Sequence, residues 1–166
     1  MPRRGDTGRA EARSRASVAA VRELVRDVTR HADLSPEVTR VRWCGAPPPT
    51  TRSRVGARFT GWSRTGPVRW VRTCEVVADE RRTFAWVTLP TWWNHDATLW
   101  RVDLAPDGPG CRVTLSYEVL ADAPWFIRVG GVLTGRVRRL PADLQVTVDT
   151  LARAAAGRVP GPRSGC

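Results

Sequence analysis

The feature that most constrains the fold is an alternation of apolar and polar residues that begins near residue 38 and continues to Val119. Val41 and Trp43 alternate with arginines at its start, and the pattern returns after each cluster of Gly, Pro and Asp. Side chains of a strand point to opposite faces in turn, so each stretch predicts one strand with one apolar face. One such strand is expected over residues 54–59. About six strands with short turns predict an antiparallel meander.

Helical spacing of apolar residues brackets this run on both sides. Ser17 is a candidate N-cap, and Val18, Val21, Val25 and Val28 follow on one face. A second short helix or turn is expected to end before Pro36, after a weak first strand over 9–15. Near the C-terminus one apolar stripe predicts a long helix; its members are Leu140, Leu144, Val148, Leu151 and Ala155. This helix is the element long enough to cover the apolar face of the sheet.

The charge of the chain allows two interpretations. Its 27 basic residues are all arginine, against 16 acidic residues, which gives a formal net charge of +11. A clustered positive charge would indicate nucleic-acid binding. The arginines are instead spread along the whole chain, which favours compositional drift of a GC-rich genome and predicts no nucleic-acid partner. The absence of lysine excludes Schiff-base and P-loop chemistry.

The spacing of cysteine and histidine does not indicate a metal site. Cys44, Cys74, Cys111 and Cys166 are far apart, and the two histidines are isolated. The chain contains no apolar run long enough to span a membrane, and its first residues lack a secretory pattern. We therefore expect free thiols, no metal and a cytoplasmic location. Residues 1–8 are expected to form a disordered tail, 9–157 a single domain, and 158–166 a flexible tail.

The order of several motifs resembles the START-like (SRPBCC) superfamily, in particular its polyketide cyclase/dehydrase and lipid-transport branch. The motifs are DVTRH at 27–31, LSPEV at 34–38, VGARFTG at 55–61, EVV at 75–77, FAW at 84–86 and RVTLSYE at 112–118, with Trp43, Trp70 and Trp100 between them. Two positions depart from the family pattern, since Leu34 replaces a common Trp and Leu115 a frequent acid. The resemblance implies an α+β helix-grip fold. In that fold a curved antiparallel sheet of about six or seven strands wraps around the C-terminal helix, with two short helices after the first strand and a cavity between sheet and helix.

Four of the eight tryptophans, Trp43, Trp70, Trp86 and Trp100, fall on the apolar face of their predicted strands. This placement predicts an aromatic pocket for a flat or polycyclic ligand, although the same residues could simply fill a core. We expect the ligand to contact these four together with Phe59, Phe84, Trp93 and Leu115. The other tryptophans, including Trp62, Trp92 and Trp125, are predicted in or near loops, where they rim the opening or pack locally.

Three polar side chains are candidates for catalysis. His95 lies in a polar and aromatic segment between two predicted strands, where it could transfer protons or be a surface residue. Tyr117 shares a strand face with Leu115 and could donate to a substrate oxygen, or merely line the wall. Arg72 could face inward beside Trp70, or outward if the register is shifted by one residue.

These features and the resemblance predict a cofactor-independent cyclase or dehydratase acting on a hydrophobic, polyketide-like or aromatic intermediate of secondary metabolism. The alternative is a non-catalytic carrier of a lipid, quinone or similar small molecule in the same fold. Either protein would have a hydrophobic small molecule as its partner and would be a monomer or homodimer.

Overall fold

Seven antiparallel strands in one sheet form the framework of the computed structural model, which describes residues 3–127, 129 and 135–157. The strands are β1 (Thr7–Ser14), β2 (Val38–Trp43), β3 (Arg58–Thr65), β4 (Val68–Asp79), β5 (Thr83–Thr88), β6 (Ala97–Asp107) and β7 (Gly110–Ala121). Their order is β1-β7-β6-β5-β4-β3-β2, so consecutive strands from β2 to β7 are neighbours and β1 closes onto β7. The predicted meander is confirmed.

Two short helices, one long helix and a brief helical segment at 125–127 complete the described fold. The two short helices and the long helix are α1 (Val18–Arg26), α2 (His31–Leu34), which follows a 3-10 turn at Val28–Arg30, and α3 (Arg136–Ala156). Ser17 caps α1 as predicted, because its hydroxyl accepts a hydrogen bond from the N–H of Ala20. None of the helices in the described ranges is long and apolar enough to cross a membrane.

The sheet curves around α3, as the helix-grip expectation requires. Irregular pairing at Val38/Arg40 in β2, Val76/Ala78 in β4 and Ala97/Thr98 in β6 marks bulges, which bend strands. The helix packs chiefly on β1, where the Ser14 hydroxyl donates to the carbonyl of Ala152 over 2.7 Å. Apolar side chains from the inner face of the sheet, α1 and α3 form one buried core; among them are Leu24, Val76, Val113 and Val148.

The strand expected over residues 54–59 is wrong in its bounds. Gly56 has a φ of +82°, and the N–H of Ala57 donates to the carbonyl of Arg54, so this segment turns before β3 starts at Arg58. Trp62 consequently lies inside β3 and not in a loop. At the other end, β1 begins at Thr7, within the segment expected as a tail, and Gly5 already donates to the carbonyl of Val119. The expected C-terminal tail, 158–166, lies outside the described residues.

A buried ion network fixes α1 to the end of β4. The Asp79 carboxylate is fully buried and accepts from the guanidinium groups of Arg22 and Arg26, each at 2.9 Å, and from the N–H of Arg54. Arg26 also donates to the carbonyls of Thr50 and Arg52. Three segments distant in sequence are therefore held together around one carboxylate.

Candidate functional site

A cavity of about 460 Å³ lies between the inner face of the sheet and α3. Its inner end is apolar and includes Val102 of β6, Leu115 of β7 and Leu151 of α3. Its other end opens beside the β3–β4 hairpin, where the lining residues Val68 and Val71 are exposed. The volume and this mostly apolar wall are typical of a site for one small organic molecule.

Aromatic rings dominate one wall of the cavity. The indoles of Trp86 and Trp100 stack with centroids 6.5 Å apart and 12° between their planes. Phe59 meets Trp86 edge-on at 6.4 Å. Strand pairing brings these side chains to the same face: Phe59 of β3 lies opposite Cys74 of β4, and Trp86 of β5 lies opposite both Val76 of β4 and Trp100 of β6. The wall offers flat apolar faces to a ligand.

Six of the eight expected ligand contacts line this cavity: Phe59, Trp70, Trp86, Trp93, Trp100 and Leu115. Trp43 and Phe84 are not among the described lining residues. Trp43 packs edge-on against Phe59 at 5.8 Å and has the Arg54 guanidinium over its ring, so it supports the wall from behind. Phe84 is buried against Trp86 in the core. The periodic pattern identified the correct face of the sheet, but not where along a strand the cavity ends.

His31 is the histidine that faces the cavity, at the start of α2. Its ring lies 5.1 Å from the indole of Trp86, centroid to centroid, and its Nε2 is 2.8 Å from the carbonyl oxygen of Val25. A carbonyl oxygen only accepts, so Nε2 carries the proton and the neutral ring keeps Nδ1 as a proton acceptor. Burial lowers the pKa of His31 below its ordinary value, despite the opposing effects of the Val25 carbonyl and Asp27.

The sequence argument preferred His95 over His31, and the geometry gives that preference no support. His95 is exposed and is absent from the described lining of the cavity. His31 had a detectable signal, because it follows Val28 by three residues and precedes Leu34 by three, which places it on the buried face of consecutive helical turns. It also ends the DVTRH motif.

Tyr117 lies on the inner face of β7, beside the cavity but not among its described lining residues. Its ring contacts the indole of Trp100, with centroids 5.5 Å apart. The ring also covers Gly8 of the neighbouring strand so closely that a Cβ on that residue would collide with it. This close approach explains the glycine and fixes the tyrosine in the wall behind Trp100.

Arg72 faces inward from β4, as one of the two register alternatives required. It forms an ion pair with Asp96, and its Nη2 donates to the carbonyls of Asp96 at 2.7 Å and Leu89 at 3.1 Å. These contacts tie the β5–β6 loop to the cavity wall. Within the described residues the Nε atom of Arg72 is buried and meets no hydrogen-bond acceptor. Through its other contacts the guanidinium of Arg72 is held in the cavity lining as a fixed positive charge.

A second polar group near the opening was not foreseen from the sequence. Glu37 and Thr65 both line the cavity, and the Thr65 hydroxyl donates to the Glu37 carboxylate at 2.8 Å. Asp143 and Thr147 of α3 contribute further oxygens to the lining. These residues come from segments 28 to 110 positions apart in sequence, so no local motif predicts that they meet.

The described residues of the site provide neither a reactive thiol nor a cluster of metal ligands. Burial raises the pKa of Cys74, which lines the cavity, to about 12, so this thiol stays protonated. Among the described residues no three His, Cys, Asp or Glu side chains are grouped as a metal site would need.

Comparison with known proteins places this geometry in context. Residues 7–156 match the family described as polyketide cyclase/dehydrase and lipid transport. No curated protein matches the chain.

Solved structures with the same fold come from several bacteria. A polyketide-cyclase-like protein from Corynebacterium glutamicum is 26% identical, covers all of both chains and gives a TM-score of 0.57. The Zhui aromatase/cyclase from Streptomyces sp. R1128 is 15% identical over 94% of this chain and 96% of its own, with a TM-score of 0.68. A START superfamily protein from Mycobacterium smegmatis is 15% identical over 89% of this chain and 99% of its own, with a TM-score of 0.61. At 15% identity the likeness shows the fold alone.

Proposed function

Because the chain belongs to the polyketide cyclase/dehydrase and lipid transport family, we propose that it is a cofactor-independent cyclase or dehydratase. Its substrate would be a hydrophobic, polyketide-like intermediate of secondary metabolism that is bound in the cavity between the sheet and α3. A cytoplasmic location, the absence of a nucleic-acid partner and the oligomeric state stay predictions from the sequence.

The observation that carries the proposal is the position of His31 in the aromatic wall. A proton acceptor that lines an apolar cavity, stays neutral near pH 7 and is held in one tautomer by Val25 is suited to general base catalysis. Trp86 beside it gives a flat surface against which a folded poly-ketone chain can be positioned.

The reaction proceeds through an enolate. His31 Nδ1 removes a proton from a methylene carbon between two carbonyl groups, and the electron pair of the C–H bond becomes an enolate. The enolate carbon then attacks a second carbonyl of the same chain, which forms a C–C bond and an alkoxide. The imidazolium returns its proton to the alkoxide. Loss of the resulting hydroxyl with a neighbouring proton releases one water, so no oxidant or cofactor is consumed.

Arg72 is suited to hold the oxygen on which negative charge develops. Its ion pair with Asp96 and its hydrogen bonds to the carbonyls of Leu89 and Asp96 fix a cationic group in the wall before the substrate arrives. A donor that is already oriented stabilises an oxyanion more than one that must reorganise. Glu37 and Asp143 near the opening offer acceptors for the hydroxyl groups of a partly reduced chain.

A carrier function is the second candidate, and one observation favours it. Of the three side chains expected to act in catalysis, only Arg72 is among the described lining residues. A protein that only stores or delivers a ligand needs the aromatic wall and not the proton acceptor.

Turnover of a synthetic linear poly-β-ketone thioester, followed by liquid chromatography and mass spectrometry, separates the two candidates. The enzyme yields a cyclic product lighter by one water. His31→Gln keeps a donor toward the Val25 carbonyl but lacks the base, so we expect its rate to fall by roughly 10²–10⁴-fold. His95→Gln is the matched control and should retain the wild-type rate. Binding of 1,8-dihydroxyanthraquinone without any turnover would favour the carrier. Equal rates for wild type and His31→Gln would refute the assignment of the base.

A further inference from the structure

The opening of the cavity is surrounded by exposed apolar side chains. We call this the mouth surface; it consists of Val68, Val71, Trp92, Trp93, Trp125 and Phe126. Trp92 is 89% exposed and Trp125 76% exposed, which is unusual for indoles.

Val68, Val71 and Trp93 are both exposed and part of the cavity lining, so they mark its opening, and the other three side chains lie within two residues of a lining residue in sequence. Val68, Val71, Trp93 and Ile127 line the same opening, although they come from the β3–β4 hairpin, the β5–β6 loop and the segment before α3. Trp92 is adjacent to Trp93. Trp125 packs edge-on against Phe126 at 6.0 Å, two residues before Ile127.

Positive charge accompanies the mouth surface. Arg69 lines the opening and is exposed, and Arg138 and Arg139 are exposed in the first turn of α3. The acidic residues of the lining, Glu37, Asp96 and Asp143, are partly buried. Asp122 is exposed near Trp125, where its carboxylate accepts from the N–H of Arg4. Exposed arginines thus adjoin the apolar opening, since Arg69 lines it and Arg138 and Arg139 directly precede the lining residue Leu140.

We propose that the mouth surface docks on a lipid bilayer that contains anionic phospholipid. Indoles favour the interface between hydrocarbon and headgroups, because the ring is apolar and its N–H keeps a polar partner there. Each arginine beside them raises the partition coefficient of the protein onto an anionic surface by roughly fivefold. Because the cavity opens inside the surface, an apolar ligand passes between bilayer and cavity without crossing water.

A second copy of this chain fits the surface less well. A two-fold contact through the mouth surface would bring Arg69, Arg138 and Arg139 of one copy against the same arginines of the other. On a chain with a net charge of +11 these like charges oppose association.

Vesicle flotation tests the proposal on the wild-type chain. We expect binding to vesicles made from a two-to-one mixture of phosphatidylcholine and phosphatidylglycerol, weaker binding to phosphatidylcholine alone, and loss of the difference at high salt. The double variant Trp92→Ala/Trp125→Ala should reduce the partition coefficient at least tenfold. Arg138→Gln/Arg139→Gln should reduce it by roughly 25-fold, following the fivefold effect of each arginine.

The matched control is Trp62→Ala, since this indole lies on β3 outside the described cavity lining, with the Arg40 guanidinium 5.3 Å from its ring centroid. It should bind as the wild type does. No flotation with anionic vesicles, equal binding to neutral vesicles, or an equal loss in the control would each overturn the proposal. So would a dimer that the tryptophan double variant abolishes without any vesicle binding. Flotation requires no turnover, so its failure is distinct from a failure of the proposed reaction.

Discussion

Gly61 gives the sharpest test that the cavity is the binding site. It lies in β3, paired with Arg72 and Val41, and lines the cavity. A Cβ placed on Gly61 would meet nothing within 4 Å, and its backbone is not among the glycines with positive φ. The substitution Gly61→Val therefore fits the fold and projects three carbons into the space where a ligand would lie.

The size of the effect follows from the volume. Three non-hydrogen atoms occupy roughly 90 Å³ at the volume of liquid water, which is about a fifth of the 460 Å³ cavity. A ligand that fills the cavity must then shift or clash, at a cost of about 1–3 kcal/mol. We expect the affinity for 1,8-dihydroxyanthraquinone, measured by quenching of tryptophan fluorescence, to fall by roughly 5- to 150-fold.

Stability should change in the opposite direction. Replacing glycine in a strand interior removes an entropic penalty of about 0.5–1 kcal/mol, so we expect the melting temperature to rise by about 1–4 °C. The control Thr60→Val alters the preceding residue of the same strand, which is outside the described lining, and should leave the affinity unchanged. Unchanged affinity in Gly61→Val would refute the placement of the ligand, and a large loss of stability would refute the open space beside Gly61.

Four further outcomes follow from burial and charge. Since burial lowers the pKa of His31, the unfolded chain binds its proton first, so the melting temperature should fall as pH drops through about 6.5, less steeply in His31→Gln. The rate of turnover plotted against pH should fall on the acidic side, with its midpoint below the pKa of a free histidine. This fall should be absent in His31→Gln. Ellman's reagent at pH 8 should modify exposed Cys44 and spare Cys74 until denaturant is added; equal rates would contradict the burial. Asp79→Ala removes the buried carboxylate and leaves the buried Arg26 guanidinium with only the exposed Glu23 as an ion-pair partner, so chemical denaturation should show a loss of about 3–5 kcal/mol in the free energy of unfolding, and a loss under 1 kcal/mol would contradict the network.

The sheet was predictable from the sequence because its strands obey a strict local rule. In each strand from β4 to β7 the apolar side chains alternate between the two faces, and the strand ends at a turn that contains Gly, Pro or Asp. The two-residue repeat of strands differs from the 3.6-residue repeat of helices, so the two can be distinguished without tertiary information. The exception was the segment before β3. Val55 and Ala57 alternate with arginines as strand residues do, but the left-handed backbone of Gly56 turns the chain there.

The candidate site was less predictable because a cavity depends on where elements meet. Alternation placed Trp86, Trp100 and Arg72 on the inner face, yet it could not say that His31 from a short helix would reach the same space. His95 was preferred because its neighbours in sequence are polar and aromatic. It lies in a loop, however, where no periodic pattern indicates the direction in which a side chain points. The Glu37–Thr65 contact joins a loop to a strand end and had no local signal.

The ion pair of Arg72 with Asp96 makes one side chain both a part of the cavity wall and the anchor of the loop that carries Trp92 and Trp93. A ligand oxygen that draws the guanidinium toward itself competes with the carbonyls of Leu89 and Asp96 for the same donors. Thermodynamic coupling between two sites is reciprocal. A contact that immobilises the loop therefore changes the ligand affinity by the same factor by which the ligand changes the equilibrium between the fixed and the released loop. Ligand binding in the cavity and mobility of the β5–β6 loop are then linked through the contacts of Arg72.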